Sequence, residues 1–95
     1  MTRIELELYA DRLGRHAERI RDDIDGARMR LVWAELESRA VEQLGPRDTA
    51  VLEALGVLAG ADQAAERRLI ERRVRQLRLV ERLQAIVEAE IEATA

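Results

Sequence analysis

From residue 6 to residue 41 the chain places apolar or small side chains at alternating intervals of four and three. Leu6, Ala10, Leu13, Ala17, Ile20, Ile24, Ala27, Leu31, Ala34, Ser38 and Val41 keep that rhythm without a slip. A repeat averaging 3.5 residues is the seam of an α-helix that packs lengthwise on another helix. It predicts one helix over about 3–44. Gly14 and Gly26 lie off the seam, and each costs about 1 kcal/mol relative to Ala in a helix interior. Asp25-Gly26 is the weakest point, since Asp-Gly also favours turns. The seam nevertheless passes through it in register, so the helix is expected to continue.

Two breaks follow. In Leu44-Gly45-Pro46-Arg47-Asp48, Gly45 suits the position after a helix and Pro46 the first turn of the next. In Ala59-Gly60-Ala61-Asp62, Asp62 suits the cap of what comes after. The pattern therefore predicts helices over about 3–44, 47–58 and 62–93. The third carries a broad apolar stripe of Leu69, Ile70, Val74, Leu77, Val80, Leu83, Val87 and Ile91. Leu79 and Ile86 fall outside it, among the arginines, and point to a second contact surface.

The first helix has a second apolar face at its two ends. Ile4 and Leu8 mark it at the start, and Met29, Trp33, Leu36, Ala40 and Leu44 at the end. Between them that face carries Asp11, Arg15, Glu18, Asp22 and Asp25. The short helix, with Val51, Leu52, Leu55 and Leu58, is expected to cover Trp33.

These elements give a single all-α domain over residues 1–95. It is a long helical hairpin of a long, a short and a long helix, forming an antiparallel coiled-coil or four-helix-type bundle. Composition adds a subunit boundary. The chain has 95 residues, no Phe, one Trp and one Tyr. Its core must come from Leu, Ile, Val and Ala, and so short a chain buries only part of its surface. A second copy would supply the missing burial, so a homodimer is expected. Leu13, Ile20, Ile24, Leu31, Trp33, Leu79 and Ile86 are the expected packing and interface anchors.

Charge and residue usage narrow the chemistry. Cys is absent, which excludes disulfides, thiol catalysis and Cys-ligated zinc. All basic side chains are Arg, and the net charge is −3, so the whole molecule is not drawn to nucleic acid or an anionic membrane. No apolar run reaches the roughly 18 residues of a membrane span. The start of the chain lacks the basic and apolar segments of a signal peptide. A cytoplasmic location is expected.

Seven arginines fall between residues 67 and 82, offset there only by Glu71 and Glu81. At 100° per residue, Arg68, Arg72, Arg75, Arg78 and Arg82 share one face. Such a face suits an acidic protein partner, a phosphate backbone or a small anionic ligand. No aromatic interleaves the arginines for base stacking, and a solvated or acid-matched helix face is the simpler reading. Arg73 differs, because it sits inside the apolar stripe. There it must snorkel to the rim, fix register, or reach an anion between helices. Glu18, Asp22 and Asp25 form the opposite stripe, and contact between chains would match it to the arginines. Three carboxylates on one helix lack the converging ligands of a hard-cation site. His16 stands alone, with no Glu-x-x-His or His-x-x-x-His pair. No metal or other cofactor is expected.

The long–short–long layout, with Pro46-Arg47-Asp48 opening the second helix, resembles the small all-helical chorismate mutases. The resemblance covers that architecture and one tripeptide. Those enzymes surround a dicarboxylate substrate with cationic side chains, a carboxylate and a Gln. Here Thr49-Ala50-Val51-Leu52-Glu53 stands where an Arg-Glu pair would be expected, and the helix-1 lysine has no counterpart. The Trp-x-Gly turn of secreted helical-hairpin proteins is not matched either, since Trp33 precedes Ala34-Glu35. No family is assigned on these residues.

With no constellation for catalysis to assemble, the sequence points to a non-enzymatic helical protein–protein interaction module. It would act as a homodimer or as a regulatory or adaptor subunit with an acidic partner. The alternative is a regulator that binds nucleic acid or a small anionic ligand through Arg68, Arg72, Arg73, Arg75, Arg78 and Arg82.

Overall fold

Capping chemistry fixes where each helix starts and stops. The computed structural model describes residues 1–60 and 62–94, with three helices in the order α1 (Arg3–Leu44), α2 (Pro46–Ala54) and α3 (Gln63–Ala93). Thr2 Oγ1 accepts from the Glu5 amide at 3.2 Å, and the Glu5 carboxylate accepts from the Thr2 amide at 3.3 Å. This reciprocal capping box satisfies two amides at the start of α1. The helix then runs unbroken through Gly14, Asp25 and Gly26. It ends at Gly45, whose φ of 83° only glycine adopts freely.

Pro46 opens α2 at a position where a missing N–H costs nothing. Thr49 is buried there and donates its hydroxyl to the Gly45 carbonyl at 2.7 Å. The expected span of 47–58 is too long, because α2 stops at Ala54. Gly56 adopts φ 70°, its amide bonds to the Glu53 carbonyl, and the Val57 amide bonds to that of Leu52. Those two bonds are the Schellman closure of a helix end. Of the expected break at 59–62, Ala61 lies outside the described residues. Asp62 caps α3 as expected, its Oδ1 accepting from the Ala64 and Ala65 amides at 3.0 and 3.3 Å.

The chain divides into two compact units, Met1–Ile24 with Glu71–Ala95, and Asp25–Ile70. In the first, Leu6, Leu13, Ala17 and Ile24 of α1 and Val87 of α3 are buried. Ala10 and Ile20 on α1, and Val74, Leu77, Val80 and Ile91 on α3, are half-buried. Burial of Leu6 near the start of α1 and of Val87 near the end of α3 is the pattern of antiparallel pairing. Ala17 has no exposed surface at all. Its methyl group lets the neighbouring helix approach closely.

In the second unit Ala27 and Ala34 are buried, and Leu31, Val41, Leu52, Leu58, Leu69 and Ile70 are half-buried. Contacts between α1 and α3 pair Arg30 with Glu66, Glu35 with Arg67 and Ser38 with Gln63. From Arg30 with Glu66 to Ser38 with Gln63, numbers rise on α1 as they fall on α3, so the pairing is antiparallel. The α1 seam therefore faces α3 of its own chain. Every seam position is buried or half-buried except Ser38, which is exposed.

A second expectation is also corrected. Trp33 is not covered by the short helix: it is 48% exposed, as are Val51 and Leu55 of α2 to a still greater extent. The second apolar face of α1 is open in the chain. Seam and second face lie nearly opposite on the helix, so one neighbouring helix covers only one of them.

Candidate interaction surfaces

Three kinds of surface remain once the α1–α3 seam is closed: a rim of paired charges, two charged stripes, and an apolar face. The rim comes first, because it shows which charges the fold itself uses. In the second unit Arg30 Nε donates to Glu66 Oε1 at 2.9 Å, and Arg67 Nη2 donates to Glu35 Oε1 at 3.3 Å. Glu66 lies largely buried on the core side of α3, with its Oε2 shielded and lacking a hydrogen-bond partner.

Arg73 takes the snorkelling course. Its Nη2 lies 3.4 Å from Asp23 Oδ2, and its Nη1 donates to Gln76 Oε1 at 2.9 Å. The side chain is 35% exposed, so the charged end reaches the rim. Its Nε stays buried without a hydrogen-bond partner. Arg73 is thus spent on a partner in its own chain and leaves the arginines of the outer face.

Those arginines stand apart. Arg68 in the second unit and Arg72, Arg75, Arg78 and Arg82 in the first are exposed. Among the described residues none of the five makes an ion pair. On α1 the acidic stripe is equally open. Glu18 and Asp22 are exposed and likewise have no ion-pair partner among the described residues, while Asp25 lies 4.0 Å from Arg28 and Asp11 lies 3.5 Å from Arg15. Among the described residues no group of three or more His or acidic side chains is arranged to hold a metal ion.

The anchors divide in two. Leu13 and Ile24 are buried and Ile20 and Leu31 half-buried against α3, so these four serve the fold. Leu79 and Ile86 are 63% and 61% exposed, among the arginines as their spacing implied. Trp33 belongs to an exposed apolar face with Met29, Val32, Leu36 and Leu44, and Val51, Leu55 and Val57 are exposed in the same unit.

An open hollow of about 410 Å³ in the second unit is lined by Ala34, Glu37, Ser38, Val41, Glu53, Leu58 and Gly60. Its polar groups serve the fold. Glu37 Oε1 accepts from the Ala59 amide at 2.6 Å, and Ser38 Oγ accepts from Gln63 at 3.1 Å. No arginine lines it. Among the described residues no helix is long and apolar enough to cross a membrane.

No known family, curated protein or solved structure matches this chain. The surfaces themselves therefore carry the functional argument.

Glu66 is the residue that the sequence pattern offered and that was not singled out. Glu66, Ile70, Arg73, Leu77, Val80, Gln84, Val87 and Ile91 keep alternating steps of four and three. All eight are buried or half-buried. The α3 seam is thus a full heptad series with polar members at Glu66, Arg73 and Gln84, and the two charged ones each find an opposite charge on α1.

Proposed function

We propose that this chain is a non-enzymatic helical interaction module that self-associates as a homodimer through the open apolar face of its second unit. The observation that carries the reading is Trp33. It is the only Trp, it sits with Met29, Val32 and Leu36 on the side of α1 away from the seam, and it is 48% exposed. Large apolar side chains gathered on one helix face are characteristic of contact surfaces, and Trp is over-represented among residues that dominate interface energies.

The exposed area supports a second copy as the occupant. The chain exposes 7238 Å², whereas a 10.8 kDa monomer of ordinary burial exposes about 5,500 Å². The difference, about 1,700 Å² per chain, is the scale that obligate dimers bury. Among the described residues no large side chain is fully buried, so association would complete a thin core.

Light scattering over a concentration series tests this, read together with tryptophan emission. A dimer insensitive to salt is expected, with emission shifted to the blue because Trp33 leaves water. Trp33→Ser with Leu36→Ser should yield a folded monomer, since both side chains lie outside the α1–α3 seam. A wild-type chain that stays monomeric at all concentrations refutes the proposal.

A second reading is favoured by the five exposed arginines of α3 that make no ion pair among the described residues: a regulator that binds nucleic acid or a small anion. It predicts binding to a DNA duplex that weakens steeply with salt and is lost in Arg72→Ala or Arg75→Ala with the fold intact. Undetectable duplex binding at low salt removes it.

A further inference from the structure

The two outer stripes of the first unit match each other. On α1, Leu8, Asp11, Arg15, Glu18 and Asp22 follow steps of three and four along the side away from the seam. On α3, Arg72, Arg75, Leu79, Arg82 and Ile86 follow the same steps, also away from the seam. All ten are exposed. Each stripe ends in an apolar residue, Leu8 or Ile86, and each carries like charges at its other end.

The spacing is the informative part. Leu8 and Asp22 are fourteen positions apart, and so are Arg72 and Ile86, about 21 Å along either helix. Two such helices laid antiparallel with Leu8 against Ile86 bring Asp22 against Arg72. In the same register Glu18 falls beside Arg75, Asp11 beside Arg82, and the stem of Arg15 beside Leu79. Antiparallel packing is also the sense in which these helices pair within the chain.

Both stripes are uneasy as they stand. Glu18 and Asp22 are four positions apart, and Arg72 and Arg75 three, so each pair sets like charges side by side on one helix face. Such pairs weaken a helix. The fold pairs the charges at its own rim, as in Asp23 with Arg73, but these four have no ion-pair partner among the described residues.

We infer that the acidic α1 stripe of one copy docks on the basic α3 stripe of another. This is a charge-matched, head-to-tail contact between copies, separate from the apolar face of the second unit. The two stripes lie on different helices and each faces away from the shared seam. A copy that uses its α1 stripe therefore keeps its α3 stripe free, and the contact admits further copies rather than closing a pair. It supplies register and salt sensitivity more than strength, since exposed ion pairs contribute little individually.

The inference goes beyond the homodimer and is tested apart from it, in the Trp33→Ser, Leu36→Ser background as well as in the wild type. One charge variant carries Arg72→Glu and Arg75→Glu, which makes both stripes acidic. The other carries Glu18→Arg and Asp22→Arg, which makes both basic. Mass is followed by light scattering at about 20 mM and 500 mM salt, where the screening length falls from roughly 20 Å to 4 Å.

Unmodified stripes should give masses that grow with concentration at low salt, past the dimer in the wild type, and fall back at high salt. Each charge variant alone should lose that growth, its midpoint concentration rising about tenfold or more. An equimolar mixture of the two should recover it, because every acidic stripe again meets a basic one. Circular dichroism of each variant confirms the fold. Absence of low-salt growth in the unmodified stripes, growth untouched by charge reversal, or a mixture that behaves as the sum of its parts overturns the inference. Loss of only the salt-insensitive dimer in the Trp33→Ser, Leu36→Ser background bears on the homodimer and leaves this result standing.

Discussion

Replacing Arg73 by methionine separates a rim ion pair that holds the fold from one that the fold merely tolerates. The guanidinium makes one short hydrogen bond, from Nη1 to Gln76 at 2.9 Å, and a 3.4 Å approach to Asp23. Its Nε is shielded and unpartnered. Losing the bond to Gln76 costs about 0.5–1.5 kcal/mol, and relieving a shielded donor returns about 1–3 kcal/mol. The pair with Asp23 is worth about 0–1 kcal/mol, because the Asp23 side chain is 52% exposed and stays hydrated when its partner leaves. Methionine keeps an unbranched stem at a seam position between Ile70 and Leu77. The sum runs from about 1.5 kcal/mol less stable to about 2.5 kcal/mol more stable than the parent, so on balance the pair is tolerated rather than needed. Near the midpoint, each kcal/mol moves Tm by about 4–8 °C in a domain of this size. Thermal and urea unfolding followed by circular dichroism measure it, at one fixed protein concentration, since self-association makes Tm depend on concentration. Asp23→Ala should change stability by less than about 1 kcal/mol, against the 3–5 kcal/mol typical of breaking a fully buried pair. A loss above about 2 kcal/mol in Arg73→Met refutes the reasoning, and would make Arg73 a register-fixing residue of the seam.

Other outcomes follow from the same geometry. Gly14→Ala should raise stability by about 0.5–1 kcal/mol in urea titrations, because Gly14 is helical and an added methyl group meets nothing within 4 Å. Gly26→Ala should give a similar gain, since its new methyl would make an ordinary contact, at 3.4 Å, with the guanidinium end of Arg30. Ala17→Leu should cost about 1–3 kcal/mol by forcing apart helices that meet at a fully enclosed methyl group, visible as a lower Tm. Gly45→Ala should cost about 1 kcal/mol or more, because φ is 83° there, and its destabilisation should appear in the same titration.

Much of the fold was legible because helices in a hairpin obey a one-dimensional rule. An unbroken alternation of four and three from Leu6 to Val41 requires one continuous helix with one buried side, and α1 is that helix, with its seam on α3. Gly26 did not interrupt it: a single glycine weakens a helix by about 1 kcal/mol, while burial of Ile24 and Ala27 on either side opposes that loss. Gly45 and Asp62 marked boundaries for the same local reason, as a left-handed residue and a cap act within a few positions of themselves. Gly56 was equally local, but it stood inside an apolar run that looked helical, and α2 came out shorter than expected. Two local signals, the Thr2–Glu5 capping box and the placement of Glu66 on the α3 seam, were present in the sequence and not singled out.

What the sequence determined by itself is periodicity: which residues share a helix face and which charges line it. Only the tertiary structure decided which face is covered, because that depends on which helix arrives and from which side. Arg73 shows the difference. Its place in an apolar stripe was readable, but its escape to the rim beside Asp23 depends on the register of two helices far apart in sequence. Trp33 shows the reverse. The largest apolar side chain looked like core, yet the short helix does not cover it, and its open face became the surface on which the functional proposal rests.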